Sequence, residues 1–315
     1  MLLVLAAAHA DAGRYHAAER RLARAIDIVK GARAGEVALL RAVALADLAS
    51  LRTTRGHYAR AERLWRTSLA LATRVADEAA VAVALNGLGV VCKFTGRYVE
   101  AARLYARAGR IVARVHGRRS LAMASLLHNQ GGLEHARGRF RRGVPLARAS
   151  VRLRRRALGA GHPLVAADEA ALAALLDGAG RHTEAKHLYR RALRVFERRL
   201  GPDHFEVGFN LGNLAALHHG RGALDAAEPL YRRAIRIKER SLGRAHPDLA
   251  LTLQNLAALE AERGRWTDAV RLYRRALRGL LRSVGRRHPH AVACAKDLAG
   301  AMTSRERARR AGGRR

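Results

Sequence analysis

Residues 256–277 read LAALEAERGRWTDAVRLYRRAL, and this stretch holds the pattern on which the rest of the chain is built. It places alanine seven residues before Gly264, and again five and twelve residues after it. The same arrangement returns around seven glycines, separated by 43, 40, 42, 42, 42 and 42 residues: Gly13, Gly56, Gly96, Gly138, Gly180, Gly222 and Gly264. A fixed period of this length predicts an array of stacked structural repeats.

Small residues occupy three positions in every copy of the pattern. Seven residues before the glycines stand Ala6, Ala49, Gly89, Gly131, Ala173, Ala215 and Ala257. Five residues after them stand Ala18, Ala61, Ala101, Gly143, Ala185, Ala227 and Ala269. Twelve residues after them stand Ala25, Ser68, Ala108, Ser150, Ala192, Ala234 and Ala276. Because only a small side chain fits where two helices cross at roughly 8–10 Å, each repeat is predicted to be a helix, a turn at the glycine, and a second antiparallel helix.

Large residues recur between the small ones. Two residues after the glycines stand Tyr15, Tyr58, Tyr98, Phe140, His182, Leu224 and Trp266, which we expect to plug the turn. Nine residues after them stand Leu22, Trp65, Tyr105, Ala147, Tyr189, Tyr231 and Tyr273, which we expect to be core side chains of the second helix. Aromatic residues make up only 4% of a chain that is 49% hydrophobic, so a sheet-rich fold is disfavoured.

The last four repeats end in a further motif. It reads LGAGHP at 158–163, LGPDHF at 200–205, LGRAHP at 242–247 and VGRRHP at 284–289. Its glycine is expected to cap the second helix, and its proline suits the first position of the next helix. The repeat and this linker resemble the tetratricopeptide repeat in its long, 42-residue form, as in kinesin light chains and their bacterial relatives. The resemblance covers essentially the whole chain, although the first three repeats lack the linker.

The resemblance implies an all-α fold: a tetratricopeptide-repeat superhelical solenoid of about seven helical hairpins plus a C-terminal capping helix. We assign the solenoid to residues 1–302, with the cap at 289–302, and expect residues 303–315 to form a disordered arginine-rich tail. HEAT and armadillo arrays share the period but do not require small residues at all three crossing positions. A propeller needs a Trp-Asp signature, and neither Trp65 nor Trp266 is followed by aspartate.

The chain is strongly basic. It has 60 lysines and arginines against 26 acidic residues, a formal net charge of +34. Such a charge favours anionic partners such as nucleic acid, anionic lipid or acidic proteins, although arginine also serves simply to solvate helix faces. The two cysteines, Cys92 and Cys294, match no metal-binding or redox spacing and are predicted to be buried small hydrophobes.

No catalytic or cofactor motif occurs in the sequence, so we predict a protein that is not an enzyme and has no cofactor. Histidine recurs once per linker, at His162, His204, His246 and His288. Adjacent repeats lie roughly 10 Å apart, too far for neighbouring imidazoles to share a zinc ion bound at about 2 Å. We therefore predict no metal site and expect these histidines to form local hydrogen bonds.

The first helices line the concave groove of tetratricopeptide proteins, so the resemblance implies a binding site on one face of these helices. Asparagine recurs there at Asn86, Asn129, Asn213 and Asn255. An asparagine amide can donate to a peptide carbonyl and accept from a peptide N–H, and the family uses asparagine in that way. The alternative is that these residues only solvate or cap the helix. By register, the predicted groove site consists of Asn86, Lys93, His128, Asn129, Phe209, Asn213, His219, Gln254 and Asn255.

Paired arginines lie on the second helices, ten and eleven residues after the turn glycine. They are Arg190, Arg191, Arg232, Arg233, Arg274 and Arg275. Second helices form the convex side of such a solenoid, so these pairs predict a basic stripe that phosphates would contact in a salt-dependent way. No aromatic platform for base stacking accompanies the stripe, and a solvated outer face is the alternative.

Together these features predict a non-enzymatic, cytoplasmic scaffold that holds a peptide or partner helix in its groove. The alternatives are a nucleic-acid-associated protein that uses the arginine stripe, or the sensor array of a larger regulator. The apolar start at residues 2–8 lacks the basic segment of a secretion signal and falls where the first helix is expected. Met1 begins inside that helix with no cap before it, which leaves an end available for self-association. No apolar run reaches the ~18 residues of a membrane span.

Overall fold

The computed structural model describes residues 1–11, 15–31 and 35–312. Within these residues it contains fifteen α-helices and no strand, which confirms the all-α prediction. The helices are α1 (Leu2–Asp11), α2 (Tyr15–Ile28), α3 (Gly35–Thr54), α4 (Tyr58–Arg74), α5 (Glu78–Phe94), α6 (Tyr98–Val115), α7 (Leu121–Ala136), α8 (Phe140–Leu158), α9 (Pro163–Gly178), α10 (His182–Leu200), α11 (Phe205–His219), α12 (Leu224–Leu242), α13 (Pro247–Glu262), α14 (Trp266–Ser283) and α15 (Pro289–Gly312).

The helices form two compact units, Met1–Leu188 and Tyr189–Arg315, with the division inside α10. In the first unit each odd-numbered helix from α1 to α7 packs against the even-numbered helix that follows it. The second unit contains the hairpins α11/α12 and α13/α14, followed by α15. The odd-numbered helices, which are the first helices of the repeats, also contact one another. In the first unit α3 contacts α5, α5 contacts α7 and α7 contacts α9, and in the second unit α11 contacts α13 and α13 contacts α15.

The repeated glycines form the turns between paired helices. All six that the structure describes, from Gly56 to Gly264, have φ between 69° and 83°. This left-handed conformation, which glycine adopts without a steric penalty, ends the first helix and reverses the chain. The remaining predicted turn, at Gly13 near the start of the chain, lies outside the described residues.

Small residues lie where the helices cross, as predicted. Ala61, Ala101 and Ala269 are completely buried. Two crossings hold a serine instead of alanine: the Ser68 hydroxyl donates to the Ala42 carbonyl at 2.8 Å, and the Ser150 hydroxyl donates to the Ala124 carbonyl at 2.8 Å. The hydroxyls therefore satisfy their hydrogen-bonding capacity without widening the crossing.

The linker histidines cap the helices that follow them. Nδ1 of His162, His204, His246 and His288 accepts the backbone N–H two residues further on, at 3.1–3.3 Å. At two earlier junctions the same role falls to Asp77 and Ser120, which are common N-cap residues. The expectation that these histidines form local hydrogen bonds is confirmed. Each bond satisfies one of the free N–H groups at a helix start.

The C-terminal helix is longer than the sequence analysis expected. α15 continues to Gly312, whereas the cap was assigned to 289–302 and disorder was expected beyond it. Residues 303–310 hold no glycine or proline, and arginine and alanine, five of these eight residues, are good helix formers. Helix propensity therefore outweighs the mutual repulsion of the arginines in this segment. Residues 313–315 lie outside the described part.

Cys92 and Cys294 are both buried free thiols, as predicted. Burial raises the pKa of each to about 11, so both remain protonated at neutral pH. Among the described residues, no helix is both long and apolar enough to cross a membrane.

Candidate functional site

The exposed edge of the first helices forms a continuous face within each unit. Side chains 40–43 residues apart hydrogen-bond across neighbouring first helices, which shows that equivalent positions lie side by side. In the first unit the bonded pairs are Asn86 with Asn129 and His128 with Asp168. In the second unit they are His219 with Glu262 and Gln254 with Asp297. We call these surfaces the groove face of the first unit and the groove face of the second unit.

Asn86 and Asn129 form an amide pair on the groove face of the first unit. The Asn129 amide N–H donates to the Asn86 side-chain oxygen at 3.0 Å. This bond leaves both hydrogens of the Asn86 amide nitrogen and the Asn129 side-chain oxygen available for other partners. The pair therefore presents a donor and an acceptor next to each other, the combination that one peptide unit requires.

Lys93 lies two turns beyond Asn86 on α5. Its ammonium nitrogen is 4.4 Å from the centre of the Phe94 ring. The same nitrogen is close to α7, because a Cβ built on Gly132 would lie 3.3 Å from it. Burial and the charge of Lys93 together lower the pKa of His135, so this imidazole favours its neutral form. At this end of the α5–α7 face the positive charge therefore comes from Lys93 and not from His135.

His128 is fixed by a buried ionic network behind the groove face of the first unit. Its Nδ1 lies 2.7 Å from the Asp168 carboxylate, which is fully buried and also accepts from Arg154 at 2.6 Å. The Ser150 hydroxyl, whose single hydrogen is shared with the Ala124 carbonyl, lies 2.5 Å from the other Asp168 oxygen, and Arg154 also donates to the Ser125 hydroxyl at 2.9 Å. The carboxylate therefore holds the imidazole through Nδ1 and leaves Nε2 as the nitrogen available to a ligand.

Asn213 and Asn255 occupy equivalent positions on α11 and α13 in the second unit. Both are exposed, and neither has a hydrogen-bond partner among the described residues. Their amides are therefore presented to solvent with full donor and acceptor capacity.

The other predicted residues of the second unit have partners within the protein. His219 Nε2 lies 3.0 Å from Glu262, and Gln254 donates to Asp297 at 2.8 Å. These bonds connect neighbouring first helices, so both side chains hold the groove face together as well as lining it.

Phe209 covers a buried lysine. The Lys238 ammonium nitrogen is 4.5 Å from the centre of the Phe209 ring and 2.9 Å from the Thr252 hydroxyl, with the Asp248 carbonyl at 3.5 Å. Lys238 is 4% exposed and has no carboxylate ion-paired with it among the described residues. Burial lowers the pKa of this ammonium to about 8, and the negative charge of Asp248 opposes that shift.

The arginine stripe is partly neutralised by carboxylates. Arg232 pairs with Glu228 at 2.8 Å and Glu260 at 3.3 Å, and Arg233 pairs with Glu197 at 2.8 Å. Arg275 pairs with Glu239 at 2.6 Å, while Arg190 and Arg274 are exposed and form no ion pair within the described residues. Several of the six arginines therefore link helices instead of forming an open phosphate-binding surface.

Sequence reasoning missed the buried charges Arg154, Asp168 and Lys238. For Arg154 and Lys238 the signal was present, because the other repeats hold apolar residues such as Val112 and Leu280 at this position. The position of Asp168 gives a weaker signal, since it holds Leu126 in one repeat but Asn210 and Thr252 in two others. The same positions are buried in the structure. Within the described residues, no group of three or more histidine, cysteine or acidic side chains is arranged to hold a metal ion.

Comparison with protein families gives one matching model, that of the tetratricopeptide repeat. It matches residues 40–113, 122–198, 170–240 and 208–282, which together make up most of the chain. No curated protein matches the sequence significantly.

Solved structures with a similar fold include NprR in complex with its cognate peptide NprX, with a TM-score of 0.68 at 11% identity over 97% of this chain and 83% of that one. A Rap protein complexed with competence and sporulation factor has a TM-score of 0.61 at 13% identity, over 90% and 79% of the two chains. A kinesin light chain repeat protein of Podosopora anserina matches at 20% identity with a TM-score of 0.46, over 63% and 94%. At these identities the likeness shows the fold alone.

Proposed function

Because this chain belongs to the tetratricopeptide repeat family, we propose that it is a non-enzymatic scaffold that binds an extended peptide, or a helix of a partner protein, along its groove faces. We place this role in the cytoplasm. The family is generally one of interaction scaffolds, and no catalytic family matches the chain. The fold is also that of NprR, whose structure contains a cognate peptide, and this is support by analogy of fold.

One observation carries the proposal: Asn213 and Asn255 present unpaired amides from equivalent positions of adjacent first helices. Adjacent helices lie roughly 8–10 Å apart, and an extended peptide advances about 3.3 Å per residue. Two peptide units about three residues apart would therefore meet the two amides. Each amide would donate to a peptide carbonyl and accept from a peptide N–H.

The Asn86–Asn129 pair supports the same interpretation for the first unit. Its bond consumes one acceptor and one donor, and it leaves a donor on Asn86 next to an acceptor on Asn129. A peptide unit bound there would contact two repeats at once. Side chains that flank the pair, Lys93 and His128, would then select among peptides by charge and hydrogen bonding.

We predict that replacing both Asn213 and Asn255 with alanine weakens peptide binding by at least about 10-fold, since four hydrogen bonds are lost and each contributes about 0.5–1.5 kcal/mol. Peptides selected from a random-peptide display library with the full chain would be titrated against wild type and the double variant. The titrations use about 0.3 M salt, where weak electrostatic binding is screened. Alanine is the best helix former, so loss of binding would not reflect loss of the helices.

The matched control is Thr267→Ala, which removes an exposed polar side chain from α14 in the same unit. It is expected to bind the selected peptides as wild type does. Equal affinity of the Asn213/Asn255 variant and wild type would contradict the proposal. Binding of an RNA oligonucleotide titrated in the same way, with equal affinity for all three proteins and loss at high salt, would favour the arginine stripe instead.

A further inference from the structure

The start of α8 differs from the starts of α6, α10 and α14. Four positions after the turn glycine these helices have Glu100, Glu184 and Asp268, whereas α8 has Arg142, as α4 has Arg60. An acidic residue at this position suits the positive end of the helix dipole. α8 has no acidic residue in its first turn, and it places Arg139, Arg141 and Arg142 there instead.

In α6 and α10 the acidic residue at this position pairs with the arginine one residue after the turn glycine. Arg97 pairs with Glu100 at 3.3 Å at the start of α6, and Arg181 pairs with Glu184 at the start of α10. The equivalent arginine of α8 is Arg139, and the replacement of the acid by Arg142 removes its partner. All three α8 arginines are exposed, and none forms an ion pair with any carboxylate in the described part of the chain.

These arginines line an open cavity of about 540 Å³ at the turn end of the first unit. Its floor is formed by Phe140, which packs against Gly178: a Cβ built on that glycine would lie 2.4 Å from the ring. The carboxylates on the adjoining helix ends are bound elsewhere: Glu134 forms an ion pair with Arg137 at 3.2 Å, and Asp177 forms a hydrogen bond with His182 at 2.7 Å. The cavity therefore brings three arginines together, and none of the residues that line it is acidic.

We propose that this arginine cavity (Arg139, Arg141 and Arg142) binds the phosphate group of a small phosphate monoester. Guanidinium groups donate several hydrogen bonds in a fixed planar geometry that matches phosphate oxygens, and charge-assisted bonds of this kind are roughly twice as strong as neutral ones. The first N–H groups of α8 lie at the same end and add a favourable dipole. The site lies at the turns and includes none of the predicted groove residues.

The test is calorimetric titration of the full chain with inorganic phosphate and with AMP, in about 0.3 M sodium chloride to screen the general positive charge. Wild type is expected to show saturable binding of one phosphate group. Arg142→Glu lowers the net charge of the three arginine positions from +3 to +1. It also places there the glutamate that α6 and α10 have at this position, so the start of the helix is retained. We expect this variant to bind at least about tenfold more weakly, the effect of losing roughly 1.4 kcal/mol of interaction.

Arg152→Glu is the matched control, because it makes the same charge change at an exposed position of α8 about 15 Å further along the helix. It is expected to bind as wild type does. Tighter binding of AMP than of phosphate would identify a monoester ligand, and equal binding would identify free phosphate as sufficient. Absence of saturable binding by wild type, or equal weakening by Arg142→Glu and Arg152→Glu, would overturn the proposal, since either result means that only general charge attracts the anion.

Discussion

Replacing Asp168 with alanine is expected to destabilise the first unit by about 3–5 kcal/mol, because it leaves the Arg154 guanidinium buried without a counter-ion. The carboxylate is fully buried and binds Arg154 at 2.6 Å, and it also accepts from Ser150. Urea denaturation followed by the fluorescence of Trp65 measures the effect, with Trp266→Phe introduced in every protein so that only the first unit is observed.

The double variant Arg154→Leu/Asp168→Leu is the control for this prediction. Equivalent positions elsewhere in the chain hold Leu280 and Leu126, so the repeat accommodates leucine at both. Because replacing a whole buried ion pair by apolar residues is far less destabilising than breaking it, we expect the double variant to recover most of the lost stability. A double variant as unstable as Asp168→Ala would show that the charges themselves are not the source of the effect.

Replacing Lys238 with leucine is expected to raise the free energy of unfolding by about 3 kcal/mol at pH 7, an effect that disappears as the pH approaches 10.5. The pKa of Lys238 is lowered from 10.5 to about 8 in the folded protein. Below pH 8 the ammonium is charged in both the folded and the unfolded state, so the folded state carries the full desolvation cost of the buried charge. Between pH 8 and 10.5 the folded state loses the proton first, so the wild type gains stability as the pH rises.

Urea denaturation followed by circular dichroism at pH 7, 8, 9 and 10 tests this prediction. Leu280 occupies the equivalent position of the next repeat, so leucine fits the site, and the Thr252 hydroxyl keeps its bond to the Asp248 carbonyl at 2.8 Å. A control, Arg236→Leu, changes an exposed cation of the same helix and should leave the pH dependence unaltered. A constant difference between Lys238→Leu and wild type at all four pH values would contradict the account.

The fold follows from the sequence because one small set of positions repeats. Glycine at the turn, a small residue at each helix crossing and a large side chain such as Tyr105 at the centre all lie where the repeat predicts them. The end of α15 was not predicted, because the high charge of this segment favours disorder while its helix propensity favours a continued helix. The relative size of these two effects cannot be read from the sequence.

The predicted groove positions are a different case. Register predicts that Gln254 and His219 lie on the groove face, but not that each bonds to a side chain 43 residues further on. Such pairing depends on rotamers and on the distance between neighbouring helices, which a linear pattern does not contain. The cavity at Arg139 likewise depends on how closely the end of α9, at Gly178 and Ala179, approaches the start of α8, which a linear pattern does not contain.

The most direct test of the central claim, that partners bind along the first helices, is site-specific photo-crosslinking in the second unit. A photoreactive amino acid is placed at Ala258, one turn after Asn255 on α13, or at Arg278, which is exposed on α14. A peptide selected by the wild-type chain is then added and irradiated. The account predicts a crosslink from position 258 and none from position 278, and a crosslink from position 278 alone would contradict it.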